Sequence, residues 1–192
     1  MLLPSSKKEG RRETDGFIFY GTIVSIKGII LKNGRKATIE FLTEVCEKDD
    51  KVILVVGDVG FSFMEGFKMR FPKQFLNCGV MEQSMMGIAV GLAQQGLKPY
   101  VYTMKNFVIL RPYEQVRNDI CYGNANVKLL GVGGSEAYRF LGMSHNLYGD
   151  EEERLLKDLP NLNTYLNPQS EEEVKENLLK EYNRFGPAYF EI

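Results

Sequence analysis

The sequence predicts an α/β fold of three layers, αβα, with helices on both faces of a mostly parallel sheet. Two observations lead there. From Arg35 onward, stretches with apolar residues at helical spacing alternate with short apolar runs of strand character, and this alternation builds parallel sheets covered by helices. The run VILVV, Val52 to Val56, is apolar at every position and stops at Gly57, as a strand buried on both faces should.

The elements follow in order. Residues 1–34 read as an N-terminal extension and residues 35–192 as the main domain. The extension opens with the polar MLLPSSKKEGRRETDG, expected to be poorly ordered, and continues with FIFYGTIVSIKGIILKNG, whose β-branched and aromatic runs around Gly28 suit an added hairpin or edge strand. RKATIEFLTEVCEK places Ala37, Phe41, Leu42 and Val45 at helix spacing. After the Val52–Val56 strand comes a loop holding Phe61, Phe63 and Phe67, then the short segment QFLNCGV. A helix is expected from about Glu82 to Gln95, a strand in PYVYT, a helix in PYEQVRNDICYG and a strand from Val127 to Gly134. Glu151 to Leu159 reads as a short helix, LNTYL as a strand, EEEVKENLLKEYNRF as a helix and PAYFEI as the last strand. The acidic runs Glu151–Glu153 and Glu171–Glu173 fall at helix starts, where they offset the helix dipole and are expected to face solvent. Ligands of such sheets gather beyond the carboxyl ends of the strands, which directs attention to the loops after Val56, Thr103 and Val132.

Composition narrows the function. At 192 residues, 44% hydrophobic and with a formal net charge of −1, the chain carries a sizeable core and no global field that would draw it to nucleic acid or an anionic membrane. No apolar run approaches the length of a membrane span, and the N-terminus lacks signal-peptide order, so a cytoplasmic protein without nucleic-acid or membrane partners is expected. Cys46, Cys78 and Cys121 form no CxxC pair and read as reduced thiols. His145 is the sole histidine, which excludes a two-histidine zinc helix. Neither GxGxxG, GxxxxGK[ST] nor GxSxG occurs, so dinucleotide, P-loop and serine-elbow chemistry find no support.

One carboxylate stands out. In NCGVMEQSMMGIAVGLAQQG, Glu82 opens an apolar, small-residue helix with Met86, Ala89 and Ala93 on the turns above it. Spacing alone fits a first-turn acid that caps the helix. The cap is the commoner reading of such an acid; the alternative is a buried carboxyl that, without a partner, stays protonated and donates to a ligand base.

The flanking motifs favour the second reading. FPKQFLNCGVMEQSMMGIAVGLAQQGLKPYVYTMKNF, RPYEQVRNDICYGNANVKLLG, GMSHN, LPNL and GPAYFEI, in this order, resemble the pyrimidine-binding domain of transketolase-like, thiamine diphosphate-dependent enzymes over about Arg35 to Ile192. The resemblance implies the αβα fold of that domain. It places Glu82 on the family's glutamate, which hydrogen-bonds the aminopyrimidine ring nitrogen and so promotes loss of the thiazolium proton. It places Phe107 where the family stacks an aromatic side chain on that ring, with Met104 and Leu110 lining the pocket at positions often aromatic or basic in the family. Asp58, Arg111 and His145 fall at candidate substrate positions, His145 also as a catalytic candidate; Tyr113 and Gln115 share the Arg111 segment.

The family holds the cofactor's diphosphate through Mg²⁺ on a separate domain with a GDG motif, and GDVG is the nearest match in this sequence. The resemblance therefore implies a partner subunit that carries the diphosphate and Mg²⁺, with self-association inside a hetero-oligomer. The reaction it implies is transfer of two-carbon ketol units between sugars. The pyrimidine subunit of a two-subunit 2-oxoacid decarboxylase or dehydrogenase, and a non-catalytic binding domain that retained the fold, are the alternatives.

Overall fold

The computed structural model describes residues 34–60, 63–133 and 139–192; the hairpin expected within residues 1–34 lies outside them. The described chain runs α1 (Gly34–Cys46), β1 (Val52–Val56), α2 (Glu65–Arg70), β2 (Phe75–Asn77), α3 (Glu82–Gln94), β3 (Lys98–Met104), α4 (Lys105–Ile109), α5 (Tyr113–Gln115), a π-helix (Val116–Tyr122), β4 (Lys128–Val132), a 3₁₀ segment (Arg139–Ser144), α6 (Glu151–Leu156), β5 (Asn163–Tyr165), α7 (Glu171–Tyr182) and β6 (Ala188–Glu191). Its strands form one six-stranded sheet in the order β2-β1-β3-β4-β6-β5. Every pairing is parallel.

Strand alternation explains the three layers. Val52, Leu54 and Val56 of β1, Tyr100 and Tyr102 of β3, and Leu130 and Val132 of β4 point to one face. There they pack against Ala37, Phe41 and Leu42 of α1 and Val174 and Leu178 of α7. The intervening Val55, Val101 and Leu129 point the other way, onto Met85, Met86 and Ala89 of α3, Val108 and Ile109 of α4, and Ile120 and Cys121 of the π-helix. Both faces are thus covered, which is why the central strands read as uninterrupted apolar runs. Ser170 caps α7 through its side chain, which accepts from the Glu173 backbone amide, and three acids fill the first turn.

Three differences from the sequence reading have physical causes. Phe67 lies on α2 rather than in a loop, buried against Phe71 and Phe75 with ring centroids 5.0 and 6.4 Å away; six residues are too few to show a helical period. PYEQVRNDICYG begins as α5 but continues as a π-helix, where the Gly123 amide reaches back five residues to the Asn118 carbonyl at 3.1 Å. Glu152 does not face solvent. It is buried and paired with Lys105, because α6 carries it onto the carboxyl end of the sheet. Cys46 and Cys121 are buried and Cys78 half-buried, all as free thiols. Among the described residues no helix is long and apolar enough to cross a membrane.

Candidate functional site

After β1 the chain steps outward to β2 and then returns to place β3 on the opposite side of β1. Ligands of open α/β sheets bind beyond the carboxyl ends of the strands at such a reversal. The turn from β2 to α3 passes through Gly79, whose φ of 75° is open to glycine without steric cost. That turn sets Glu82 at the first position of α3, and the burial of Met85, Met86 and Ala89 behind it draws the carboxylate inward. Glu82 is only 5% exposed.

Glu82 is not without a partner. Arg111, from the turn after α4, donates from Nη1 to Glu82 Oε1 at 2.7 Å. The same guanidinium lies 3.5 Å from the ring centroid of Phe107, in face-on contact. Phe107 sits in α4, immediately after β3, and is itself buried. His145 meets the Phe107 ring at an angle of 64° with centroids 4.9 Å apart. A buried carboxylate, an aromatic ring and an imidazole therefore converge, with one arginine bridging the first two.

The His145 loop is held from below. Asn106, buried beside Phe107, donates through Nδ2 to the Ser144 carbonyl, and Ser144 Oγ lies 2.8 Å from His145 Nδ1. Asn146 Nδ2 donates to the Gly142 carbonyl at 2.7 Å, closing the same turn.

The remaining sequence candidates divide. Met104 is buried at the start of α4, and Leu110 is exposed at its end. Asp58, exposed just past β1 with φ of 54°, has other partners: its carboxylate accepts from Asn77 Nδ2 at 3.0 Å and its amide donates to Asn77 Oδ1 at 3.2 Å. Tyr113 anchors α5 to α6, its hydroxyl donating to the Leu155 carbonyl at 2.9 Å. Gln115 is half-buried at the end of α5.

A buried polar cluster beside the site escaped the sequence reading. Lys105 Nζ reaches Glu152 Oε2 at 2.5 Å and Glu191 Oε1 at 3.1 Å, while the Tyr189 hydroxyl donates to Glu152. Burial favours a neutral lysine, yet the two facing carboxylates outweigh it and hold Lys105 above the ordinary lysine value. Burial raises the Glu152 carboxyl, Lys105 opposes that, and the like charge of Glu191 adds to the rise. The available signal was a lysine set inside the apolar segment that follows β3.

The donor set can be matched to a ligand class. The Arg111 guanidinium is a flat, nitrogen-bearing group that presents N–H to Glu82 and its face to Phe107 at once. Glu82 and Phe107 thus fit a planar nitrogen heterocycle with a polar edge, as the aminopyrimidine half of thiamine diphosphate has. Among the described residues no group of three or more His, Cys, Asp or Glu is gathered for a metal ion.

The chain is thus a parallel α/β domain in which a buried glutamate and an aromatic face are brought together beside the carboxyl ends of the strands. The family model for the transketolase pyrimidine-binding domain matches residues 32–191, and the chain belongs to that family. It is 37% identical over 133 residues to an apulose-4-phosphate transketolase subunit of Phocaeicola vulgatus, covering 69% of this chain and 42% of that protein. It is 30% identical over 152 residues to the subunit of the same name from Actinobacillus succinogenes, covering 79% and 48%. Among solved structures, a split-gene transketolase described as an inactive beta4 tetramer superposes with a TM-score of 0.71 at 28% identity, over 82% of this chain and 50% of that one. The chain thus spans about half the length of these relatives.

Proposed function

We propose that the chain is the pyrimidine-domain subunit of a split, thiamine diphosphate-dependent transketolase-like enzyme that moves two-carbon ketol units between sugars. The observation that carries this reading is the buried Glu82 carboxylate beside the Phe107 face in a chain of this family. Two relatives are named as transketolase subunits for a sugar phosphate, which supports a phosphorylated sugar as substrate here. Residues 35–192 form the cofactor-facing domain in this reading, and residues 1–34 an extension to it.

Thiamine diphosphate, when bound, supplies the carbon nucleophile and electron sink for cleavage beside a carbonyl. The chain's own residues do the rest. Glu82 holds or shares a proton at the ring nitrogen, and its burial keeps water from competing for that proton. Phe107 fixes the plane of the ring. His145, packed on the Phe107 ring with its Nδ1 2.8 Å from Ser144 Oγ, serves as a hydrogen-bond donor or acceptor toward substrate. Met104 and Leu110 serve in this reading as aliphatic contacts to the ring, and Asp58 and Arg111 as substrate-side groups.

The diphosphate and its Mg²⁺ fall to a partner subunit, with copies of this chain associating within the same hetero-oligomer. Exposed apolar side chains flanking the site residues in sequence, Val80 and Met81 before Glu82, Leu110 before Arg111, and Phe140 and Met143 before His145, support a covering partner. Co-purification of the full chain with a candidate diphosphate-binding subunit, followed by a ketol-transfer assay on sugar phosphates, tests the proposal. Glu82→Ala abolishes cofactor-dependent transfer in the assembled complex; retained activity contradicts the proposal.

A further inference from the structure

Arg111 occupies space that the proposed function needs for something else. Its guanidinium touches Glu82 Oε1 at 2.7 Å and lies 3.5 Å over the Phe107 ring. That second distance is ordinary stacking separation, so no other ring fits between. Any ligand that meets both Glu82 and this face of Phe107 must take the volume the guanidinium fills. The arginine side chain is 42% exposed while Glu82 is 5% exposed. The carboxylate is thus held in the core while the arginine is reached from solvent, and swinging Arg111 outward breaks its Glu82 bond and its Phe107 contact without displacing a buried side chain of its own.

We infer that Arg111 is a self-occupying latch: in the chain on its own it fills the ring seat as an internal mimic of the aminopyrimidine, and ligand entry requires its displacement. This rests on the reading of Glu82 and Phe107 as that seat. The latch solves a physical problem for the unassembled chain. A carboxylate this deeply buried is costly without a counter-charge, and Arg111 supplies one until a ligand N–H replaces it. Only the fraction of molecules with Arg111 swung out is competent to bind, so the apparent affinity for the ring falls by that fraction.

Titration of the full-length chain with thiamine, followed by side-chain and backbone NMR, tests the latch. Wild type shows an Arg111 guanidinium signal slowed by its bond to Glu82, and thiamine shifts that signal toward free arginine. Arg111→Met binds thiamine about twofold to fivefold more tightly than wild type, the range expected for removing one half-exposed ion pair. Equal or weaker binding by Arg111→Met, or no binding by either chain, overturns the latch. Adding Glu82→Gln to Arg111→Met separates the two claims. If the double variant keeps the tighter binding, the seat is not at Glu82 and the underlying reading fails. If Glu82→Gln weakens binding while Arg111→Met changes nothing, the seat stands and only the latch falls.

Discussion

At the residue scale, the site is a balance between one buried carboxylate and the groups that satisfy it. Glu82 gains an ion pair with Arg111, but the half-exposed guanidinium is screened by water, so the pair contributes no more than about 1 kcal/mol. Asn106 works differently, tying α4, which carries Phe107, to the loop that carries His145. Asn106→Ala should lower stability by about 1 kcal/mol through the lost hydrogen bond and raise KM in the assembled enzyme as His145 loosens, as urea unfolding and kinetics would show. An unchanged unfolding midpoint would contradict this role. Glu82, Phe107, Arg111 and His145 were legible because each sits in an ordered local motif. Asn106 and Ser144 were not, because their bond joins residues 38 apart and neither side chain stands out in its own segment.

Elements differ in how plainly their sequence announces them. β1, β3 and β4 were readable because burial on both faces leaves apolar runs. α2 and α4 were not, since helices of six and five residues show no period, and a π-helix closes with the same apolar residues as an α-helix. Packing between elements can be tested at two positions. A Cβ on Gly131 in β4 would run into the Tyr189 hydroxyl and stand 3.0 Å from Lys105 Cβ. Gly131→Ala should therefore destabilise by about 1–3 kcal/mol, seen as a lower urea midpoint; wild-type stability would argue that the Lys105–Glu152–Tyr189 cluster yields easily. At the opposite end of β4, Lys128 is buried and donates to the Gly186 carbonyl at 2.5 Å, with Glu181 3.6 Å away. Burial pushes its pKa down to about 8 from 10.5. Between about 8 and 10.5 the unfolded chain holds more protons than the folded one, so this group makes stability rise with pH across that window. Below about 8 both states are protonated and its penalty is constant. Unfolding measured from about pH 8 to 10.5 should show wild type gaining on Lys128→Met over that window; parallel curves would refute the burial of a charged lysine.

As a whole molecule, the chain supplies, in our proposal, the ring half of a cofactor site and relies on a second subunit for the rest. The parallel sheet follows from the βα alternation in the sequence, whereas its strand order β2-β1-β3-β4-β6-β5 comes from the structure, because alternation does not say which strands are neighbours. The partner does not follow from that alternation either, because complementary surfaces leave no periodic signal in one chain. Assembly and chemistry should separate cleanly: Glu82→Gln keeps a hydrogen-bonding side chain in the same volume, so it should assemble with the partner as wild type does. The most direct test of the central claim is exchange of the thiazolium C2 proton of thiamine diphosphate for deuterium in the assembled complex, read by NMR after acid quench. Glu82→Gln should slow that exchange by about 10²–10⁴-fold, the usual contribution of a positioned acid–base group, whereas exchange at the wild-type rate would show that Glu82 does not activate the cofactor.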